Sequence, residues 1–159
     1  MRRTIGISLC AALLAGGCQT GDDTPAGGET TVVPTVLQEW AIVPDTDTVP
    51  AGTVTFEVTN TGEDVHELVI FRTDIDPGSL PTDDRGAVDE EGEGVELVDE
   101  LEDVEPGASA ELTVELSPGT YTLVCNIVHT GEDEHGEGHE PSGVEVHYAL
   151  GMRTGFFVS

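Results

Sequence analysis

The 159-residue chain contains no lysine: five arginines face 32 aspartates and glutamates, for a formal charge of −27. Nucleic-acid backbones are bound through Lys/Arg neutralisation of phosphates, so a DNA- or RNA-binding role is excluded. Methionine occurs only at Met1 and Met152, and cysteine only at Cys10, Cys18 and Cys125, which leaves no Met-rich or multi-Cys surface. The apolar run Ile5–Ala15, about 11 residues, falls well short of the ~20 that a membrane-spanning helix needs. What the chain does have is core-forming material. About a quarter of it is Val, Leu, Ile or Phe, above the rough one-fifth floor below which a highly charged chain stays disordered. Its length suits one domain.

Arg2 and Arg3 precede that apolar run, and Gly16-Gly17-Cys18 follows it, which is the layout of a secretory signal. The stretch Leu14-Ala15-Gly16-Gly17-Cys18 resembles a lipoprotein signal, in which small residues let a peptidase cut before a cysteine that becomes lipid-modified. The resemblance implies that residues 1–17 are removed and that Cys18 is the lipid attachment point. The protein would then be exported and anchored to the outer face of the cytoplasmic membrane, on its periplasmic or extracellular side. Ordinary secretory cleavage after a small residue is the alternative, and the paired arginines leave twin-arginine export open. Residues 18–31 are small, polar and Gly/Pro-bearing and read as a flexible tether, so the folded domain is expected over 32–159. Cys10 is lost with the signal and Cys18 is committed to lipid. Cys125 is then the one thiol left in an oxidising compartment, and no internal disulfide can form. Such a thiol is an oxidation hazard unless it is buried or held by a metal.

From Val32 onward, short β-rich runs alternate with turn residues. Strands are expected around 40–43, 53–59, 65–71, 110–116, 120–125 and 155–158. Val54, Phe56 and Val58 alternate with Thr53, Thr55, Glu57 and Thr59, and Leu112, Val114 and Leu116 alternate with Glu111, Thr113 and Glu115, the period of two of half-buried strands. Turns fall at Pro50-Ala-Gly52, Asn60-Thr-Gly62, Pro106-Gly107 and Ser117-Pro-Gly119. This spacing indicates an all-β sandwich with Greek-key connections. The acid-rich segment 74–105 breaks the pattern. Val95/Leu97 and Val98/Leu101/Val104 fit neither a strand nor a helix period, so an irregular excursion containing one short strand or helix is expected there.

On this strand pattern stand His66, just after the Asn60-Thr-Gly turn, Cys125 at a strand end, and His147 and Met152 before the last strand. One thiolate, two imidazoles and a thioether are the donor set of a blue-copper electron-transfer site. Each residue alone is ordinary: a strand cysteine or a methionine before a strand is most often core filling. It is their ordered combination that carries the argument. Asn60-Thr-Gly-Glu-Asp-Val-His66-Glu-Leu-Val-Ile, Pro118-Gly-Thr-Tyr-Thr-Leu-Val-Cys125-Asn126 and His147-Tyr-Ala-Leu-Gly-Met152 resemble the ligand-bearing segments of the cupredoxins, notably plastocyanin-like and sulfocyanin-like members. The resemblance covers nearly all of 32–159. It implies one type 1 copper held by His66, Cys125 and His147 with Met152 as axial ligand, and it implies that Asn126 locks the ligand-bearing loops together by hydrogen bonding.

The compact family pattern places the second histidine a few residues after the cysteine, whereas here 21 residues, Asn126 to Val146, intervene. His129, at C-x₃-H, competes with His147 for the role of second imidazole. His147 is favoured because Met152 follows it at the family-like distance. His129, His135 and His139, set among carboxylates, form a second candidate metal-binding tract, for which a solvated loop is the plain alternative.

The leading expectation is a non-enzymatic, monomeric, membrane-tethered carrier of one electron between redox proteins such as a cytochrome or an oxidase or reductase. A copper-binding or delivery protein using the His129–His139 loop is the alternative, and an adhesion or structural sandwich is a weaker third. The acidic excess suits either life in high salt or an anionic face that steers a basic partner, and its dispersion favours the former.

Overall fold

The computed structural model describes residues 30–130 and 144–159. The expected signal 1–17, Cys18, the tether up to residue 29, and His135 and His139 lie outside the described residues. Two sheets form a sandwich. The first contains β1 (Thr31–Gln38), β2 (Ala41–Pro44), β4 (Gly52–Asn60) and β7 (Ser109–Leu116) in the order β2-β1-β4-β7. The second contains β3 (Thr48–Val49), β5 (His66–Arg72), β6 (Glu96–Val104), β8 (Gly119–Val124) and β11 (Arg153–Val158) in the order β3-β11-β8-β5-β6. A short ribbon, β9 (Val128–His129) with β10 (Glu145–Val146), leads into the one-turn helix α1 (His147–Leu150). The chain changes sheet between β2 and β3, β3 and β4, β4 and β5, β6 and β7, and β7 and β8, the crossing pattern of a Greek key.

The period-two segments behave as their pattern demands. Phe56, Val54 and Val58 of β4 and Leu112, Val114 and Leu116 of β7 point into the sandwich, while Thr55–Thr113 and Thr59–Ser109 hydroxyl pairs line the outer face. Phe56 meets Phe156 of the opposite sheet at a ring-centroid distance of 5.3 Å. β5 differs because it is buried on both faces. Leu68 and Ile70 face the sandwich core, whereas Val69 and Phe71 face a second cluster formed with Leu80, Ala87, Val88, Val124, Val146 and Tyr148. A strand covered on both sides reads as a continuous apolar run.

The acid-rich segment therefore does two things that its sequence pattern conceals. Its first part, with a 3₁₀ turn at Pro77–Ser79, lays Leu80, Ala87 and Val88 over the outer face of the second sheet. Its last part is no short element but the nine-residue strand β6, which pairs with β5 along the sheet edge. The register slips twice. His66 pairs Val104 and Leu68 pairs Leu101, and Ile70 pairs Asp99 while Phe71 pairs Leu97, so β6 carries one extra residue at each slip. Each β-bulge shifts the alternation by one, so Val98, Leu101 and Val104 turn inward at every third residue. Asp103, at φ 51°, supplies the left-handed conformation at one bulge.

Candidate metal centre

β5, β8 and β11 are neighbours and antiparallel, so the start of β5, the end of β8 and the start of β11 meet at one end of the second sheet. His66 is the first residue of β5, Cys125 follows the last residue of β8, and Met152 immediately precedes β11. Backbone bonds fix the junction. The Cys125 N–H donates to the Met152 carbonyl (3.0 Å), the Met152 N–H donates to the His147 carbonyl (3.0 Å), and the His147 N–H donates to the Ile127 carbonyl (3.0 Å). Gly151 closes α1 at φ 119°, a conformation that a side chain at this position would strain.

His66, Cys125, His147 and Met152 are all fully buried. Three of their donor atoms converge: Cys125 Sγ lies 3.2 Å from His147 Nδ1 and 3.9 Å from His66 Nδ1, and the two Nδ1 atoms are 3.3 Å apart. Ligands held at about 2.0–2.3 Å around one centre lie roughly 3.3–3.8 Å from one another, so the spacing fits a shared ion. The two Nε2 atoms have no hydrogen-bond partner. Glu39 Oε1 stands 3.4 Å from His66 Nε2, close enough for attraction but not aligned as a hydrogen bond.

The protonation states fit the same picture. Burial pushes the Cys125 thiol up to about 12. Burial, helped by the neighbouring imidazoles of His66 and His129, takes His147 down to about 3, and burial also lowers His66. Both rings are therefore neutral ligands at neutral pH, and the thiol gives up its proton only to a strong competitor such as a metal ion. The Glu67 N–H lies 3.5 Å from Cys125 Sγ and donates to it, a bond that favours the thiolate. The soft sulfur and two imidazoles suit copper, and nothing in the arrangement conflicts with it.

His129 is not part of this set; its ring lies beside that of His147, centroids 4.9 Å apart. The Asn126 side chain grips Val88, accepting from its N–H (2.6 Å) and donating to its carbonyl (3.1 Å). It thus joins the cysteine loop to the acidic excursion. The link from the cysteine loop to the His66 strand runs instead through the Asn126 backbone N–H, which donates to Glu67 Oε1 (2.8 Å). Asn60 organises the turn before His66: its amide donates to the carbonyls of Asp64 and Val104 (2.7 Å each) and its oxygen accepts from the Gly62 N–H (2.8 Å).

Sequence reasoning missed Asn60, Glu67 and the β1–β2 connection, where Glu39 faces His66 and Trp40 meets His147 edge-on at 5.0 Å. Asn60 carried a turn signal in Asn60-Thr-Gly62 and Glu67 adjoins a candidate ligand, whereas nothing local pointed to Glu39 or Trp40. Among the described residues no helix is long and apolar enough to cross a membrane.

The family model described as a cupredoxin-like domain matches residues 8–137. No curated protein matches the chain. Among solved structures, auracyanin from Roseiflexus castenholzii is 24% identical, with a TM-score of 0.52 over 83% of this chain and 99% of its own. Auracyanin A of Chloroflexus aurantiacus, a "blue" copper protein, is 16% identical, with a TM-score of 0.50 over 82% and 100%. Reduced rusticyanin is 20% identical, with a TM-score of 0.50 over 83% and 81%. At these identities the likeness is one of fold.

Proposed function

The chain belongs to the cupredoxin-like domain family, and we propose that it is a type 1 copper protein that carries single electrons between redox partners. The observation that carries this reading is the convergence of Cys125 Sγ with the Nδ1 atoms of His66 and His147 in a fully buried pocket. Copper bound there supplies a one-electron couple between Cu(I) and Cu(II). His66, Cys125 and His147 would hold it, and the thioether of the buried Met152 would be a further, weak donor.

The protein's part is preorganisation. The ligand residues hang from three hydrogen-bonded strands and one capped turn, so their positions change little between oxidation states. Burial excludes water from the sulfur. The Glu67 N–H stabilises negative charge on Sγ, which ties the couple to the backbone of β5.

Catalysis is not part of the reading. A cavity of about 520 Å³ opens between Arg72, Gly94 and Thr120, at the far end of β5 from His66, and brings nothing to the donor set. Export through the signal at 1–17 and anchoring through lipidated Cys18 would place the carrier at the outer face of the cytoplasmic membrane, consistent with a redox protein partner there. The visible spectrum of the purified chain with Cu(II) tests the reading. An intense thiolate-to-copper band that vanishes in Cys125→Ser, with a reversible one-electron wave, is expected; a colourless, weakly held Cu(II) would sink it.

A further inference from the structure

His147 belongs to two donor sets. Besides His66 and Cys125, it stands with Asp64 and Glu145, one carboxylate oxygen of each lying within 4.8 Å of the other and of a His147 ring nitrogen. We propose that Asp64, Glu145 and His147 form a loading site for a divalent metal ion, from which the ion passes to the buried set. The proposal rests on the copper reading above for its destination but not for the site itself.

Three observations support it. First, the two acidic residues are fixed in the frame through their backbones. The Asp64 carbonyl accepts from Asn60 Nδ2 (2.7 Å) and its N–H donates to Glu39 Oε1 (3.0 Å), while Glu145 sits in β10 directly opposite His129. Second, each carboxylate precedes a site histidine by two residues, in Asp64-Val65-His66 and Glu145-Val146-His147. Third, His147 is wholly buried, its Nδ1 faces Cys125 and His66, and its Nε2 is buried with no hydrogen-bond partner. With Nδ1 engaged by that set, Nε2 is the ring nitrogen left for the two carboxylates, and a buried imidazole nitrogen without a partner points to an absent cation.

The two sets also differ in chemistry in the direction that transfer requires. Two carboxylate oxygens and one imidazole suit a hard or borderline ion such as Zn(II) or Cu(II) arriving from water, while the thiolate set is softer. Passage between them is ligand exchange with no change of oxidation state. The carboxylate contacts are given up, contacts to Cys125 Sγ and His66 Nδ1 are made, and the thiol proton leaves to solvent. His147 serves the two sets through different ring nitrogens, so its Nε2 contact breaks together with the carboxylate contacts as its Nδ1 contact forms.

Stopped-flow mixing of the metal-free chain with Cu(II), read at the thiolate band, tests the transfer. Asp64→Asn with Glu145→Gln should slow the band's appearance about tenfold or more and leave its final shape unchanged. As a control for general attraction by a negative protein, Glu57→Gln with Glu111→Gln, paired across β4 and β7 of the other sheet, removes the same charge and should load at the wild-type rate. Equal rates in the two double variants would overturn the proposal. Calorimetric titration of Zn(II) into Cys125→Ser reads the loading site whether or not wild type develops a thiolate band. Affinity should fall about tenfold or more when the Asp64 and Glu145 changes are added, and an unchanged affinity would overturn the site. A wild type that never develops the band while Zn(II) still depends on the two acids would defeat the copper reading and leave the loading site standing as a metal site.

Discussion

Glu39 shows how single side chains far from the ligands in sequence act on them. Its carboxylate accepts from the backbone N–H groups of Glu63 (2.6 Å) and Asp64 (3.0 Å) and faces His66 Nε2. Burial would push this carboxylate up, but the N–H groups of Asp64 and Glu63 outweigh burial and hold it below its ordinary range. A fixed negative charge there stabilises the oxidised, more positive site. Taking ~1 kcal/mol for a partly exposed contact, Glu39→Gln should raise the reduction potential by about 40 mV at 59 mV per tenfold, as read by voltammetry. Glu67 acts on stability. Burial, offset in part by the Asn126 N–H, raises it from 4.5 to about 7, so the native state binds more protons than the unfolded state between those values. Its stabilising contribution is present below pH 4.5 and is lost as pH rises through 7. The buried imidazoles act in the opposite sense. Their depressed values, about 3 for His147, give stability above pH 6.5 that is lost as pH falls. The two effects overlap, so the measurable quantity is a difference. In the metal-free protein, denaturant titrations should find Glu67→Gln gaining on wild type by up to about 3 kcal/mol between pH 4.5 and 7.5, and a constant gap would contradict the assignment.

At the scale of elements, β6 joins two needs in one strand. It is an edge, and its exposed Glu96, Asp99, Glu100, Glu102 and Asp103 deny that edge to another chain. It must also cover the sandwich beside His66, which its two bulges achieve by turning Val98, Leu101 and Val104 inward. The second bulge depends on Asp103 at φ 51°, a conformation open to Asp and Gly but costly for a β-branched residue. Asp103→Gly should keep the thermal midpoint close to wild type, whereas Asp103→Val should cost about 1–2 kcal/mol. Equal midpoints would show that the bulge does not constrain this residue. The acidic excursion is thus a structural element, a cover whose apolar residues close the outer face of β5 and β8 while its carboxylates stay in water.

For the whole molecule, a net charge of −27 without a single lysine means that compaction works against self-repulsion. Among the described residues the arginine–carboxylate pairing is the exposed Arg85–Asp83 contact, which offsets little of it. Added salt should therefore stabilise the fold. Between 0.05 and 1 M NaCl the Debye length falls from over 10 Å to about 3 Å, and relief of about 1–2 kcal/mol would raise the thermal midpoint by roughly 5 °C. A midpoint that does not move would show that the acids are spaced widely enough not to feel one another.

The sequence by itself determined the sandwich and its donor types. Period-two runs such as 53–59 and 110–116 can bury one face only as strands, and a thiol ordered with histidines and a methionine in this pattern points to a metal. It did not show β6, because two bulges turn an alternating pattern into a period of three, and it did not show β1, where burial alternates but Thr35 faces inward and Val32, Pro34 and Val36 outward, so the residue types hide the period. It favoured His147 over His129 only through the spacing to Met152, since C-x₃-H and the longer spacing are both open to a chain. In the tertiary structure β10 pairs with β9, so that His147 Nδ1 meets Cys125 Sγ while His129 stands alongside. The acidic balance, legible from the first residue count, acquired its roles the same way: a guarded edge, a charge against His66, and two carboxylates beside His147. These depend on contacts across tens of residues, and no local pattern encodes such a contact.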